Sequence, residues 1–381
     1  MKNTRIIELS AMIWMTFVII SCTSNKGVDL DTCTRINLNE EYGDVSVFDI
    51  FSKIEVFPLE MTDSSILARI SEYDIWKDTI YIFDNQQDDI FVFEITGKFI
   101  GRLNRRGNGP GEYIRIADMN INRFSGNLEV LSVDGRIIVY DRKNLSFLSQ
   151  IALPTYFVHS FQNVSQDYDV LYFNSKTDNV LFLYSRKEDK IVASEWKIPE
   201  ALSFTGFLPL KPFYVYNDSL YLYKGYFGET YLVTSDTTSI LRPHHSWDFG
   251  DNTFNLDAVL PEKDWRYYDD IYMKGSAKQA LGFVPCFENN KFYMMKFRYR
   301  NEEKFLFYDK KEKNSKLFHV FKEGFPIYIR FVDNEYGISI CEVDYKEKHM
   351  NISVLDDENR RRFLSINEES NPFVIRFKFK P

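Results

Sequence analysis

The sequence predicts an all-β fold, a six-bladed β-propeller of four-stranded antiparallel blades whose N-terminal strand joins the last blade and closes the ring. Three observations carry this expectation. Short strand-like runs joined by turn residues recur with a period of about 48 residues, the spacing of a propeller blade. The 381-residue chain holds 34 Phe, 24 Tyr and 5 Trp but only 17 Gly, and aromatic side chains suit the pleated, half-buried surface of a sheet. Residues 53–59 read as a strand with no hairpin partner nearby, and Pro58 within them suits an edge position.

The same composition removes several classes of protein. A hydrophobic content of 44% excludes disorder, and the low Gly count excludes collagen-like repeats. The formal net charge is −8, from 47 Lys+Arg against 55 Asp+Glu. With no basic block in the sequence, nucleic acid is not an expected partner, because phosphate binding requires clustered Lys and Arg.

Taken in order, the chain begins with residues 1–21, which have the form of a bacterial export signal. Lys2 and Arg5 supply the positive start, and residues 9–21 form an uncharged stretch. A membrane span needs about 20 apolar residues, so this stretch has the length of a secretory signal instead. It runs into Ile19-Ile20-Ser21-Cys22, which resembles a bacterial lipobox with Ile19 in place of the usual Leu. The resemblance implies a diacylglycerol on Cys22, a membrane partner through that anchor, and a place at the cell envelope. There the chain would sit on the outer membrane, at its periplasmic or surface face. An ordinary secretory signal is the alternative. Residues 22–45 are polar and read as a tether, leaving 46–381 for the propeller. The remaining thiols, Cys33, Cys286 and Cys341, show no CxxC zinc spacing. Buried free thiols are expected at Cys286 and Cys341, with a disulfide between them as the alternative.

Six units follow. Residues 80–84, 90–94 and 99–103 form the first, with a further strand at 66–73 ahead of it. The second is 128–132, 137–141 and 147–151, preceded by 114–120. The third is 170–174, 180–184 and 191–198, and the fourth 220–224, 229–233 and 239–242. The fifth is 291–297, 304–309 and 316–321, and the sixth begins at 336–341 and ends at 373–379. Two stretches break the period. Residues 251–279 include Pro261 and a run that suits a short helix. Residues 356–371 carry the charged segment Asp356-Asp-Glu-Asn-Arg-Arg-Arg362. Both are expected as loops on one rim, where binding residues are held over a rigid scaffold.

Gly107, Gly109, Pro110, Gly111, Glu112 and Tyr113 form a Gly-x-Gly-Pro-Gly-Glu-Tyr loop after the first unit. Together with the ending 371–379 and Trp247-Asp-Phe-Gly250, it is similar to the six-bladed β-propeller lipoproteins of Gram-negative bacteria, relatives of the NHL-like and TolB-like propellers. The resemblance spans roughly residues 50–381 and implies a fold and an envelope location, without an established activity. Physically the loop is a sharp turn, with Gly supplying backbone states closed to other residues and Glu112 accepting N–H groups or pairing with Arg105 or Arg106. The functional alternative is an anion cradle using Arg105 and Arg106.

No catalytic, metal or cofactor motif stands out. The five His show no HExxH, and no Gly-x-Ser-x-Gly elbow occurs. Adjacent His244 and His245 fall on opposite faces of a strand. Asp84, Asp141 and Asp309, at strand ends, read as turn caps. The expected function is therefore a binding or interaction module for an envelope protein, a peptide or a glycan. Candidate ligand-binding residues are Arg105 and Arg106, together with Trp265, Tyr267, Tyr268 and Tyr272 of the long insertion, since aromatic surfaces stack on sugars and anchor protein partners. The alternative is a propeller enzyme, a metal-dependent lactonase-like hydrolase or a lyase, whose dispersed site residues meet in the central channel.

Overall fold

The computed structural model describes residues 33–38, 45–173, 179–199, 202, 209–256, 259, 265–326, 328–345 and 350–381. The signal at 1–21, Cys22, Pro261 and His349 lie outside them. Two strands, β1 (Cys33–Arg35) and β2 (Phe51–Pro58), and a single-turn helix, α1 (Val47–Ile50), precede the repeat. Blade 1 is β3 (Ile70–Trp76), β4 (Thr79–Asp84), β5 (Asp89–Glu94) and β6 (Phe99–Leu103). Blade 2 is β7 (Ile116–Ile121), β8 (Leu128–Ser132), β9 (Arg136–Tyr140) and β10 (Phe147–Ala152). Blade 3 is β11 (Ser160–Asn163), β12 (Tyr168–Tyr172), β13 (Leu181–Ser185) and β14 (Lys190–Glu195). Blade 4 contains β15 (Phe213–Tyr216), β16 (Ser219–Tyr223), β17 (Glu229–Val233) and β18 (Leu241–Asp248). Helix α2 (Trp265–Gly275) lies between it and blade 5, which is β19 (Leu281–Glu288), β20 (Phe292–Tyr299), β21 (Glu302–Asp309) and β22 (Asn314–Phe318). Blade 6 is β23 (Phe331–Val332), β24 (Tyr336–Cys341), β25 (Phe373–Phe379) and then β2, with helix α3 (Asp357–Ser365) inserted between β24 and β25.

Strand alternation explains why this sequence makes a ring. In β4, Ile80 and Ile82 pack toward blade 6 while Tyr81 and Phe83 pack toward blade 2, so both faces of one sheet are buried. The same holds all round. Six apolar clusters occupy the six blade-to-blade interfaces, and large aromatics fill them, including Phe51 and Phe321 against blade 6 and Trp247 and Phe297 between blades 4 and 5.

The N-terminal strand closes the ring as the pattern predicts. β2 pairs antiparallel with β25, from Phe51 opposite Phe379 to Pro58 opposite Phe373. One blade departs from four strands. β1 adds to the outer edge of blade 4, parallel to β18, with Cys33 opposite Ser246 and Arg35 opposite Asp248. The segment read as a tether is therefore not free along its whole length. Its Ile36 and Leu38 are apolar enough to join the cluster around Trp247 and Phe249, where both are buried.

The two insertions differ from the expected rim loops. Asp356 caps α3 by accepting the Asn359 N–H (2.8 Å), and Phe363 on its inner face is buried in the blade 5–blade 6 cluster. Asn359 then accepts the Val56 N–H at 2.9 Å, so α3 covers the outer edge of β2. This charged segment seals a sheet edge, because an uncovered edge strand leaves its N–H groups bare. In α2, Tyr267, Ile271 and Tyr272 pack half-buried on the cluster between blades 3 and 4. Cys286 and Cys341 are free thiols, and burial pushes both up to about 12.

Candidate functional site

In an up-and-down blade, the connection from one blade to the next and the loop between its second and third strands lie at the same end. The Gly-rich loop is at this end. There Glu112 accepts the Gly109 N–H at 2.8 Å, and Tyr113, fully buried, donates its hydroxyl to Leu103 O (3.2 Å). A Cβ on Gly107 would fall 2.0 Å from Glu112 Oε2, and Gly111 (φ +72°) would place one 2.5 Å from the Phe147 ring. Of the two partners expected for Glu112, the backbone is the one it takes, and Arg105 and Arg106 are left exposed beside the loop.

The large apolar side chains left exposed are concentrated at this end. Met61 and Ile66 precede blade 1, Ile114 precedes blade 2, Tyr156 and Phe157 precede blade 3, Leu210 precedes blade 4, and Val320 and Tyr328 precede blade 6. Phe157 is 87% exposed and sits at φ +66°, a left-handed backbone that a bulky residue seldom adopts.

Inside the ring of these loops lies the mouth of the channel. Lys211, just before β15, reaches across the axis. Its ammonium donates to Glu72 on β3, to Asp118 Oδ1 on β7 (3.0 Å) and to Met119 O (3.0 Å). Asp118 Oδ2 in turn accepts the Phe161 N–H of β11 at 2.8 Å. Four blades thus meet at one hub. Burial pushes the Glu72 carboxyl well above its usual range, and the Asp118 charge adds to this while Lys211 opposes it. All three ammonium protons are engaged and each carboxylate holds Lys211, so the hub joins the blades. Among the described residues, no group of three or more His, Cys, Asp or Glu side chains is placed to hold a metal ion. Next to the mouth, a cavity of about 200 Å³ is lined by Tyr223, Tyr272, Lys296, Arg298 and Glu303. Lys296 and Glu303 pair at 2.9 Å, the Tyr328 hydroxyl donates to Glu303 Oε1 at 3.0 Å, and the Arg298 guanidinium lies 5.3 Å from the Tyr272 ring centre.

The candidate residues are thereby divided. Tyr272 lines the cavity at the mouth, while Tyr267 packs on the core. Trp265 and Tyr268 belong to α2, but their side chains lie outside the described residues. Arg105 and Arg106 line a different depression, between blades 1 and 2. His244 and His245 do not separate as expected: a register shift opposite Thr230 and Tyr231 places a bulge at His244, and both side chains meet blade 5. His244 Nε2 lies 3.1 Å from Glu288, and His245 packs against Tyr293 and, at 4.3 Å, the Trp247 ring centre. The acidic caps hold. Asp84 accepts backbone N–H groups of Ala68, Arg69, Gln86 and Gln87, Asp141 those of Lys143 and Asn144, and Asp309 those of Lys311 and Glu312. The Lys211 hub was not among the candidates, since its members are 46 to 139 residues apart in pairs that no local motif marks.

A family model described as a domain of unknown function, DUF4934, matches residues 33–378. No curated protein matches the chain. A crystal structure of an inferred exported protein of Bacteroides fragilis is similar, with a TM-score of 0.73 at 16% identity, covering 92% of this chain and 99% of that one. A member of the DUF4221 family from Bacteroides vulgatus is similar at a TM-score of 0.52 and 11% identity, covering 87% of this chain and 97% of that one. At these identities the likeness is one of fold.

Proposed function

We propose that this chain, which belongs to the DUF4934 family, is an exported binding module held at the bacterial envelope through a lipidated Cys22. In this reading it engages an envelope protein, a peptide or a glycan on its loop face. The observation that carries the reading is the gathering of exposed apolar side chains on the inter-blade loops, with Tyr156 65% and Phe157 87% exposed side by side. Isolated apolar residues are ordinary on a surface. A set of them concentrated at one end is the mark of an interaction site, with aromatic members as its anchors. Support for export comes from the signal-like residues 1–21 and from the inferred export of the similar Bacteroides fragilis protein. The fold agrees with the propeller lipoproteins that the Gly-rich loop resembles.

Two measurements test it. The Tyr156→Ser/Phe157→Ser variant keeps its melting temperature and loses capture of envelope protein or glycan by about tenfold or more; equal capture by both forms overturns the loop-face reading. A Cys22→Ala variant leaves the membrane fraction after export, and its retention there overturns the anchor.

A further inference from the structure

We infer that the depression between blades 1 and 2 is a second binding site, one that takes an oligosaccharide bearing carboxylate or sulfate groups. It is a cleft of about 570 Å³ walled by the outer strand β6, the start of the following loop and the turn between β9 and β10. Clefts of about 300–1,000 Å³ suit small ligands of this kind.

Its charge is unlike that of the rest of the molecule. In a chain of net charge −8, Arg102, Arg105, Arg106, Arg142 and Lys143 line the cleft, against a single carboxylate, Glu112. Glu112 is already occupied by the Gly109 N–H. Arg102 is tied to Asp89, and Arg142 donates from Nε to Gly126 O at 3.0 Å. These two are fixed walls. Arg105, Arg106 and Lys143 are exposed, and their charged groups have neither an ion pair nor a hydrogen bond among the described residues. Unpaired like charges held together cost free energy by mutual repulsion, and an anion that enters the cleft relieves it.

The remaining lining selects what carries the anion. Asn104 and Asn144 are exposed amides at the edge. Asn104 donates to Asp89 (3.2 Å) and keeps its oxygen for a sugar hydroxyl, and Asn144 accepts the Ser146 N–H (2.9 Å) and keeps its amino group to donate. A bilayer surface is flat and cannot follow a concave wall. A nucleic-acid strand would need further cations beyond the cleft to follow its phosphates, and the chain as a whole carries a net charge of −8. A short chain of acidic sugars meets both the cations and the amides within the available volume. The site is separate from the apolar loop residues at the channel mouth and does not depend on the function proposed for them.

The test is calorimetric titration of the exported chain with a sulfated tetrasaccharide, with trigalacturonate and with neutral maltotriose, alongside sedimentation with anionic phosphatidylglycerol vesicles. At least one of the anionic sugars binds, maltotriose does not, and affinity falls as salt rises from about 0.05 to about 0.5 M. Arg105→Gln and Arg106→Gln each weaken that binding roughly tenfold. Both leave the melting temperature unchanged, as does Tyr156→Ser/Phe157→Ser, which also leaves sugar affinity unchanged. Absence of binding by both anionic sugars, equal binding of maltotriose, insensitivity to both Arg substitutions, or preference for vesicles would each overturn the assignment.

Discussion

His245 shows how much a single side chain depends on what surrounds it. Its neighbour His244 reaches Glu288, which also receives Lys310 and the Tyr214 hydroxyl. His245 meets the same blade among Trp247, Tyr293 and Tyr308, and its Nε2 is buried without a partner among the described residues. Burial lowers its pKa to about 4, with the Glu288 charge opposing. A folded pKa below the unfolded value means the unfolded chain binds the proton first. The contribution to stability is therefore complete above about 6.5 and is lost as pH falls toward 4. The His245→Phe variant should unfold with a flatter dependence on pH between about 4 and 6.5, measured as urea midpoints across that range. An unchanged slope would mean the ring titrates normally. That the two His face the same blade was not legible, because the bulge at His244 breaks the local rule of alternation. Nor were the partners, because Glu288 lies 44 residues away on the next blade.

Among elements, the outer three strands of each blade were readable, whereas the innermost were read only for blades 1 and 2. β4, β8 and β16 are apolar runs that pack on both sides. Inner strand β11 of blade 3 has only four residues, Ser160-Phe-Gln-Asn163, too short and polar for its pattern to stand apart from a loop. β23 has only two residues. The closing strand was legible because a lone strand at the start of a repeat needs a partner at its end. Its cover was not: residues 356–362 read as a charged rim loop, and only the three-dimensional register brings Asn359 onto Val56. Asn359→Leu should leave the Val56 N–H buried and unbonded, a loss of about 1–3 kcal/mol. Hydrogen exchange at the β2 amides should then accelerate more than exchange in blades 2 and 3. Uniform acceleration would show that closure is not the weak point.

The whole molecule is held by interfaces of two kinds, apolar clusters between neighbouring blades and a polar hub at the axis. The clusters account for the aromatic content of the sequence. The hub has no counterpart in composition, because Lys211, Glu72 and Asp118 are ordinary residues made special by the ring. Lys211→Met leaves two carboxylates facing each other at the channel mouth. Removing one partner of a fully buried set costs about 3–5 kcal/mol, and this one, with the Lys211 side chain 27% and that of Glu72 21% exposed, should lose less. The loss should grow with pH as the raised Glu72 carboxyl ionises beside Asp118, and a denaturation series that shows no such trend would exclude this role. The acidic net charge was equally incomplete as a guide. It excluded a basic block along the chain, yet the cleft gathers Arg102, Arg105 and Arg106 with Arg142 and Lys143, from segments about 40 residues apart.

The strap formed by β1 bears on how such a ring would withstand mechanical load. Under the proposed anchor, tension enters the fold from its N-terminal side and meets Cys33–Arg35 first, lying parallel to β18. A pull along that strand shears its hydrogen bonds together, with Ile36 and Leu38 lodged behind them between blades 4 and 5. Further along, Val45 bridges Phe321 and Glu323 accepts from Ser46 and Val47. Only beyond these attachments does the chain enter β2. The seam of the ring is thus relieved of strain by two upstream fastenings, so the molecule can be tugged at its leash without being unzipped at its closure.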